Sequence, residues 1–132
     1  MRLEELLGSW LEIPARYRGV PVAGISCDSR KVGEGELFVA VSGELADGHR
    51  YIHDAIRAGA SAIIGERRPS EVPIGGERRV PYFRVTSSRE ALGRVADAFF
   101  SRPSRELTVV GVTGTKGKTT TTWLLDSILA AC

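Results

Sequence analysis

The feature that most constrains this chain lies near its middle, where the spacing of apolar residues changes twice in quick succession. Leu37 to Val41 is a short unbroken apolar run, Tyr51, Ile52, Ala55 and Ile56 share one face of a helix over 51–58, and Ala62, Ile63 and Ile64 are again apolar without a gap. Gly59 stands just past the helix, where a residue tolerant of positive φ belongs. Strand, helix, strand in that order predicts a right-handed βαβ crossover, and hence an α/β fold built on a small sheet with flanking helices.

The flanking segments extend the pattern. Leu3, Leu6, Leu7, Trp10 and Leu11 form the stripe of an amphipathic helix that Pro14 ends, and Val22 to Cys27 reads as a strand followed by a polar, glycine-rich loop. After a loop rich in Pro, Gly and Arg (67–81), Tyr82 to Val85 predicts a further strand. Ser88 to Phe100 predicts a helix capped by Ser87 or Ser88, with Leu92, Val95, Ala96, Phe99 and Phe100 facing inward. Ser101-Arg-Pro-Ser104 is the best boundary in the chain, and it divides a domain of residues 1–103 from a segment of residues 104–132. In that segment the β-branched run Thr108 to Thr113 predicts a strand, and Thr119 to Ala131 a helix carrying Leu124, Leu125, Ile128 and Leu129.

Composition narrows the partners. No apolar run approaches the ~18 residues that a membrane span requires, and the N-terminus lacks the basic flank and apolar core of a signal peptide, so a cytoplasmic protein without a membrane partner is expected. Eighteen bases and 16 acids are scattered along the chain for a net charge of +2, which leaves no basic stripe for nucleic acid. Cys27 and Cys132 are too few for a disulfide framework or a four-ligand zinc site. His49 and His53 lack a third metal ligand; His49 is expected to cap or line its loop, His53 to be solvated, and Tyr51 and Ile52 to be core.

One stretch carries chemistry on its face. In Leu107-Thr-Val-Val-Gly-Val-Thr-Gly-Thr-Lys-Gly-Lys-Thr-Thr120 a predicted strand feeds a loop with Gly111, Gly114 and Gly117, and the loop opens a helix. Glycines let successive N–H groups turn toward phosphate oxygens, and a helix N-terminus favours an anion. Lys118 is placed to reach the β and γ phosphates of ATP, and the Thr119 hydroxyl to ligate Mg²⁺. Val112 stands where the strict Walker pattern has glycine, yet the strand, loop and helix context sets the stretch apart from a chance Gly-Lys-Thr in a turn. A complete nucleotide-hydrolysing domain also needs a later acid for magnesium and neighbouring strands. About thirty residues cannot bury both faces of a parallel strand, so the segment is expected to be the truncated opening of a P-loop ATPase domain.

Two blocks read together resemble the Mur ligases of peptidoglycan synthesis, of the type that extends UDP-N-acetylmuramoyl-dipeptide (MurE type). The first is Cys27-Asp-Ser-Arg30 with Gly35-Glu-Leu-Phe-Val-Ala-Val-Ser-Gly43 and Ala46-Asp-Gly-His-Arg-Tyr-Ile52, running into Ala58-Gly-Ala60. The second is Gly111-Val-Thr-Gly-Thr-Lys-Gly-Lys-Thr-Thr-Thr121. The resemblance implies that residues 1–103 hold the UDP end of the substrate, with Cys27 and Ser29 beside the nucleoside and Glu44, Leu45 and Ala46 in the loop that passes the diphosphate. Asp28 and Arg30 would hold the turn. Glu44 stands where such enzymes often carry histidine, and Lys116 where they often carry asparagine.

The resemblance further implies an ATP-dependent amide-bond ligase, of which this chain is a part inactive by itself. ATP activates the substrate's D-glutamate carboxylate, and the amine of a third amino acid, diaminopimelate or lysine, then attacks. Lys118 would stabilise the transferring charge, Thr119 would serve Mg²⁺, and Gly114, Thr115, Lys116, Gly117 and Thr120 would shape the loop. The expected partners are UDP-MurNAc-dipeptide and an amino acid, and a monomer is expected. Two alternatives stand beside this reading: a non-catalytic UDP-sugar-binding module with a vestigial loop, and a MurF-type ligase.

Overall fold

The computed structural model describes residues 1–43, 46–72, 74 and 79–131. It divides into two compact units, Met1–Arg102 and Pro103–Cys132. The first holds a four-stranded sheet of β1 (Ile25–Ser26), β2 (Leu37–Val39), β3 (Ala62–Gly65) and β4 (Tyr82–Arg84), all parallel and in the order β1-β2-β3-β4. The register pairs Ile25 with Leu37, Phe38 with Ile63 and Ile64 with Phe83.

The unbroken apolar runs have a direct structural meaning. Successive strand residues point to opposite faces, so a strand covered on both sides needs an apolar residue at every position. Leu37, Val39, Ala62 and Ile64 join one core with Leu3, Leu6 and Leu7 of α1 (Leu3–Leu7) and Ala91 and Val95 of α3 (Ser88–Phe99). Phe38, Ala40 and Ile63 join the other core, with Ile52 and Ala55 of α2 (Ile52–Arg57). The βαβ unit predicted over 37–64 is therefore present, and Gly59 after α2 adopts φ +109°. Ser87 caps α3, its hydroxyl accepting from the Glu90 N–H.

Several expectations change in detail. The first helix closes at Leu7 rather than Leu11, because Gly8, a poor helix former, caps it; Trp10 and Leu11 follow in a turn bonded back to the Leu7 carbonyl. The first strand is confined to Ile25–Ser26, since the N–H groups of Val22 and Ala23 are taken by Met1 O and Gly35 O. Phe100 is 66% exposed, having left the helical phase at the C-cap of α3. Tyr51 is 43% exposed and not core: Gly48–Tyr51 forms a 3₁₀ turn ahead of α2, and the 3.6-residue phase does not carry across that junction.

In the second unit α4 spans Lys118–Leu129, one residue earlier than predicted and two shorter at its end. Residues 108–113 form no strand. A strand exists by virtue of its ladder, and no described residue of this unit offers one.

Two stability outcomes follow. Ile64 is fully buried beside Val39 and Phe83, so Ile64→Ala should cost about 2–5 kcal/mol and lower the urea midpoint of the first unit accordingly. A chain ending at Arg102 should keep the circular-dichroism melting temperature of the first unit; its unfolding would show that the sheet draws on residues 103–132.

Candidate functional site

In a parallel sheet the loops at the C-terminal strand ends are the ones left to bind ligands. Here the loops leaving β1 and β2 frame an open cleft of about 690 Å³.

The loop after β1 closes on itself. The Ser26 hydroxyl donates to Asp28 O (3.0 Å) and accepts from the Asp28 N–H (3.3 Å), and the Asp28 carboxylate caps the 3₁₀ turn Ser29–Lys31 by accepting from the Arg30 N–H (3.1 Å). Arg30 returns over its own turn, donating from Nε to Oδ1 (2.9 Å) and from Nη2 to Oδ2 (2.8 Å) of Asp28. These bonds from Arg30 hold the Asp28 carboxyl down at about 2, so it stays ionised at any physiological pH. Asp28 and Arg30 thus satisfy each other within the turn. Cys27, exposed, and Ser29, half-buried, line the cleft beside them.

The loop after β2 is pinned at both ends. Ser42 and Asp47 form an antiparallel bridge, the Gly43 N–H donates to Ala46 O (2.9 Å), and the Gly48 N–H donates to Val41 O (2.9 Å). Ala46 lines the cleft; Glu44 and Leu45 lie outside the described residues. Burial opposes ionisation of Asp47, yet hydrogen bonds from the His49 ring and backbone, together with the charge of Arg67, hold its carboxyl below the usual range.

Tyr51, predicted as core, instead contributes an aromatic ring to the cleft, next to Phe38 and Val41. Its helical spacing pointed inward, and only the glycine that opens the 3₁₀ turn, Gly48, hinted otherwise. The cleft therefore offers a hydroxyl, a thiol, an aromatic ring, loop backbone and, at its edge, the exposed Asp54 carboxylate, with an arginine already neutralised by the Asp28 carboxylate. Such a lining can hold a planar ring and polar groups in place. Among the described residues no cluster of three or more metal-ligating side chains exists.

The glycine-rich loop belongs to the second unit. Gly117 takes φ +79°, in the left-handed region, and as N-cap of α4 turns the chain from loop into helix. No atom lies within 4 Å of where a Cβ at Gly117 would sit, so its glycine serves the turn rather than a tight contact. The Lys118 ammonium folds back onto the Gly114 carbonyl and spans the loop. The hydroxyls of Thr121 and Thr122 bond to carbonyls one turn back, whereas Thr119 and Thr120 make no such bond, and Thr115 and Lys116 are exposed at the loop's tip. An α-helix of 12 residues opening on a left-handed glycine, with a lysine bridging the loop, fits a phosphate group in its donors and charge.

Residues 21–100 match the model of the Mur ligase family, catalytic domain. The chain is 47% identical over 113 residues to the UDP-N-acetylmuramoyl-L-alanyl-D-glutamate--2,6-diaminopimelate ligase of Chlorobium phaeobacteroides, an alignment covering 86% of this chain and 22% of that protein. The crystal structure of MurF ligase from Thermotoga maritima in complex with ADP superposes with a TM-score of 0.55 and 39% identity, over 77% of this chain and 21% of that one. A solved UDP-N-acetylmuramoyl-L-alanyl-D-glutamate--2,6-diaminopimelate ligase shares the fold, with a TM-score of 0.68 at 24% identity over 99% of this chain and 26% of that one. The chain thus spans about a quarter of the length of the proteins it matches. The matched residues 21–100 contain all four strands and both loops that frame the cleft, and the chain belongs to the Mur ligase family.

Proposed function

We propose that the first unit binds the uridine diphosphate end of a UDP-muramoyl substrate, and that the second is the opening of the ATP site of a longer amide-bond ligase. That ligase adds a third amino acid, diaminopimelate or lysine, to UDP-MurNAc-dipeptide in the cytoplasm, as a monomer. The observation that carries the reading is the cleft itself, which gathers Cys27, Ser29 and Ala46 from two loops far apart in sequence. The Ser29 hydroxyl and loop N–H groups are suited to a uracil edge and a diphosphate, and Tyr51 offers a face for the ring. Glu44 and Leu45 complete the loop in this proposal.

In the second unit Lys118 would meet the β and γ phosphates, releasing the Gly114 carbonyl, while Gly114, Thr115, Lys116, Gly117 and Thr120 form the loop and Thr119 supplies one oxygen ligand to Mg²⁺. Bound ATP would supply the phosphoryl group that activates a carboxyl for attack by an amine. Lys118 would hold the charge that develops there. Sequence identities of 42–47% to diaminopimelate-adding ligases of three organisms favour that type.

Titration of the chain with UDP should shift the amide resonances of Ser29 and Ala46 more than those of Gly114 through Thr120. Ser29→Ala removes one hydrogen bond of about 0.5–1.5 kcal/mol, so UDP affinity should fall about two- to tenfold with the fold intact. ADP should compete poorly; equal shifts with UDP and ADP would remove the uridine assignment. The 132 residues alone should release no phosphate from ATP and Mg²⁺ above background, because such a site needs a magnesium-binding acid on a neighbouring strand and residues 103–131 form no strand. Phosphate release stimulated by UDP-MurNAc-dipeptide and lost in Lys118→Ala would overturn the view that this segment is only part of the ATP site.

A further inference from the structure

His49 is among the few polar side chains in the core of the first unit, 2% exposed, and the binding assignment above makes no use of it. Its two ring nitrogens have different partners. The Glu66 N–H donates to Nε2 (2.8 Å), so Nε2 carries the lone pair and the hydrogen resides on Nδ1, which donates to Asp47 Oδ1 (2.6 Å). Asp47 in turn accepts from the His49 N–H (3.0 Å), from the Ser42 hydroxyl (3.4 Å) and from Arg67. Ser42 and Asp47 are the two ends of the cleft loop.

The other end of this chain of bonds is firm. Glu66 directly follows β3; its carbonyl accepts from Arg84 Nε (3.1 Å) and its carboxylate accepts from the Ser88 N–H at the start of α3 (2.8 Å). The carbonyl of Arg67 accepts from the Tyr82 hydroxyl (2.8 Å). Gly65 makes room for the ring: a Cβ there would sit 2.9 Å from His49 Nε2 and 2.5 Å from the Tyr82 hydroxyl. A buried imidazole thus couples the sheet, at the exit of β3, to a loop that leaves a different strand.

We infer that His49 is a positioning residue for the cleft, acting through Asp47 to hold the Ser42–Asp47 bridge, and with it Ala46, against the exit of β3. The ligand side of this inference rests on the uridine diphosphate reading of the cleft. A loop held in place before the ligand arrives loses less conformational freedom on binding, so removing the support weakens affinity even where no contact to the ligand is deleted.

The test compares UDP affinity, by calorimetry, and thermal melting for the unaltered chain and for His49→Ala, Asp47→Ala and Asp47→Asn. Asp47→Ala should bind UDP about three- to tenfold more weakly, and Asp47→Asn, which keeps an acceptor oxygen for His49, should stay within about twofold. The sign is diagnostic, because deleting a negative charge near an anion site would by itself tighten binding. Unchanged or tighter binding by Asp47→Ala, or Asp47→Asn as weak as Asp47→Ala, overturns the positioning role. His49→Ala should bind at least as weakly as Asp47→Ala; if its melting shows that it does not fold, the half-exposed Asp47 pair decides. Long-range ¹H–¹⁵N spectra of the unaltered chain should show His49 protonated at Nδ1 only, and an Nε2–H tautomer would overturn the network without any ligand. Absence of UDP binding by the unaltered chain overturns the uridine reading and the role toward it together, whereas normal binding insensitive to these variants overturns the positioning role alone.

Discussion

Burial of β2 and β3 on both faces is the constraint from which the rest of the first unit follows. Leu37, Phe38, Val39, Ala62, Ile63 and Ile64 are all at most 1% exposed. Full burial of the larger of these side chains is worth roughly 1.5–3 kcal/mol each, but only if both faces of the sheet are covered. Residues of alternating parity go to opposite cores, so α1 and α3 are required on one side and α2 on the other. With the faces occupied, the strand ends are where the chain can present polar groups. The cleft sits at two of those ends.

Loops at the mouth of such a sheet must satisfy their own backbone before they can serve a ligand. Each does so with one carboxylate. Asp28 caps the turn after β1 and takes both arms of Arg30, and Asp47 joins the two ends of the loop after β2 while holding His49. Both carboxyls are held below their usual range by these bonds, in spite of burial for Asp47. Their stabilisation is therefore present at neutral pH and is lost only as pH falls through the lowered values, near 2 for Asp28. The Asp28, Arg30 and Asp47 charges are thus committed to holding the loops. Apart from the exposed Asp54 carboxylate, the rest of the cleft lining is neutral: a hydroxyl, a thiol, an aromatic ring and backbone.

This division explains which features were legible in the residues. Strand runs at 37–41 and 62–64 and the helix between them are encoded by local apolar spacing, and the physics that reads them is the physics that folds them. The same rule failed at Tyr51, where a 3₁₀ turn shifts the phase by a fraction of a turn, and at Phe100, one residue past the end of α3. The Asp28 turn was legible because its partners are two residues apart. The bond from Glu66 to His49 spans 17 residues and joins two loops, and no spacing rule records it. A buried histidine flanked by an aspartate two residues earlier was the only local signal.

The glycine-rich segment shows the complementary case. Its turn depends on one left-handed glycine and on hydrogen bonds within a few residues, Lys118 to Gly114 and Thr121 to Gly117, so its shape is written locally and was readable from the motif. The strand predicted before it depends on partners elsewhere in a sheet, and residues 108–113 make none. Val109, Val110, Trp123 and Leu124 are accordingly exposed, Trp123 by 72%. A helix of this length gains little stability from its own hydrogen bonds in water, and no described residue of α4 is buried. The shape of this loop is thus set by local backbone geometry, whereas the apolar residues whose burial would stabilise the unit stay exposed.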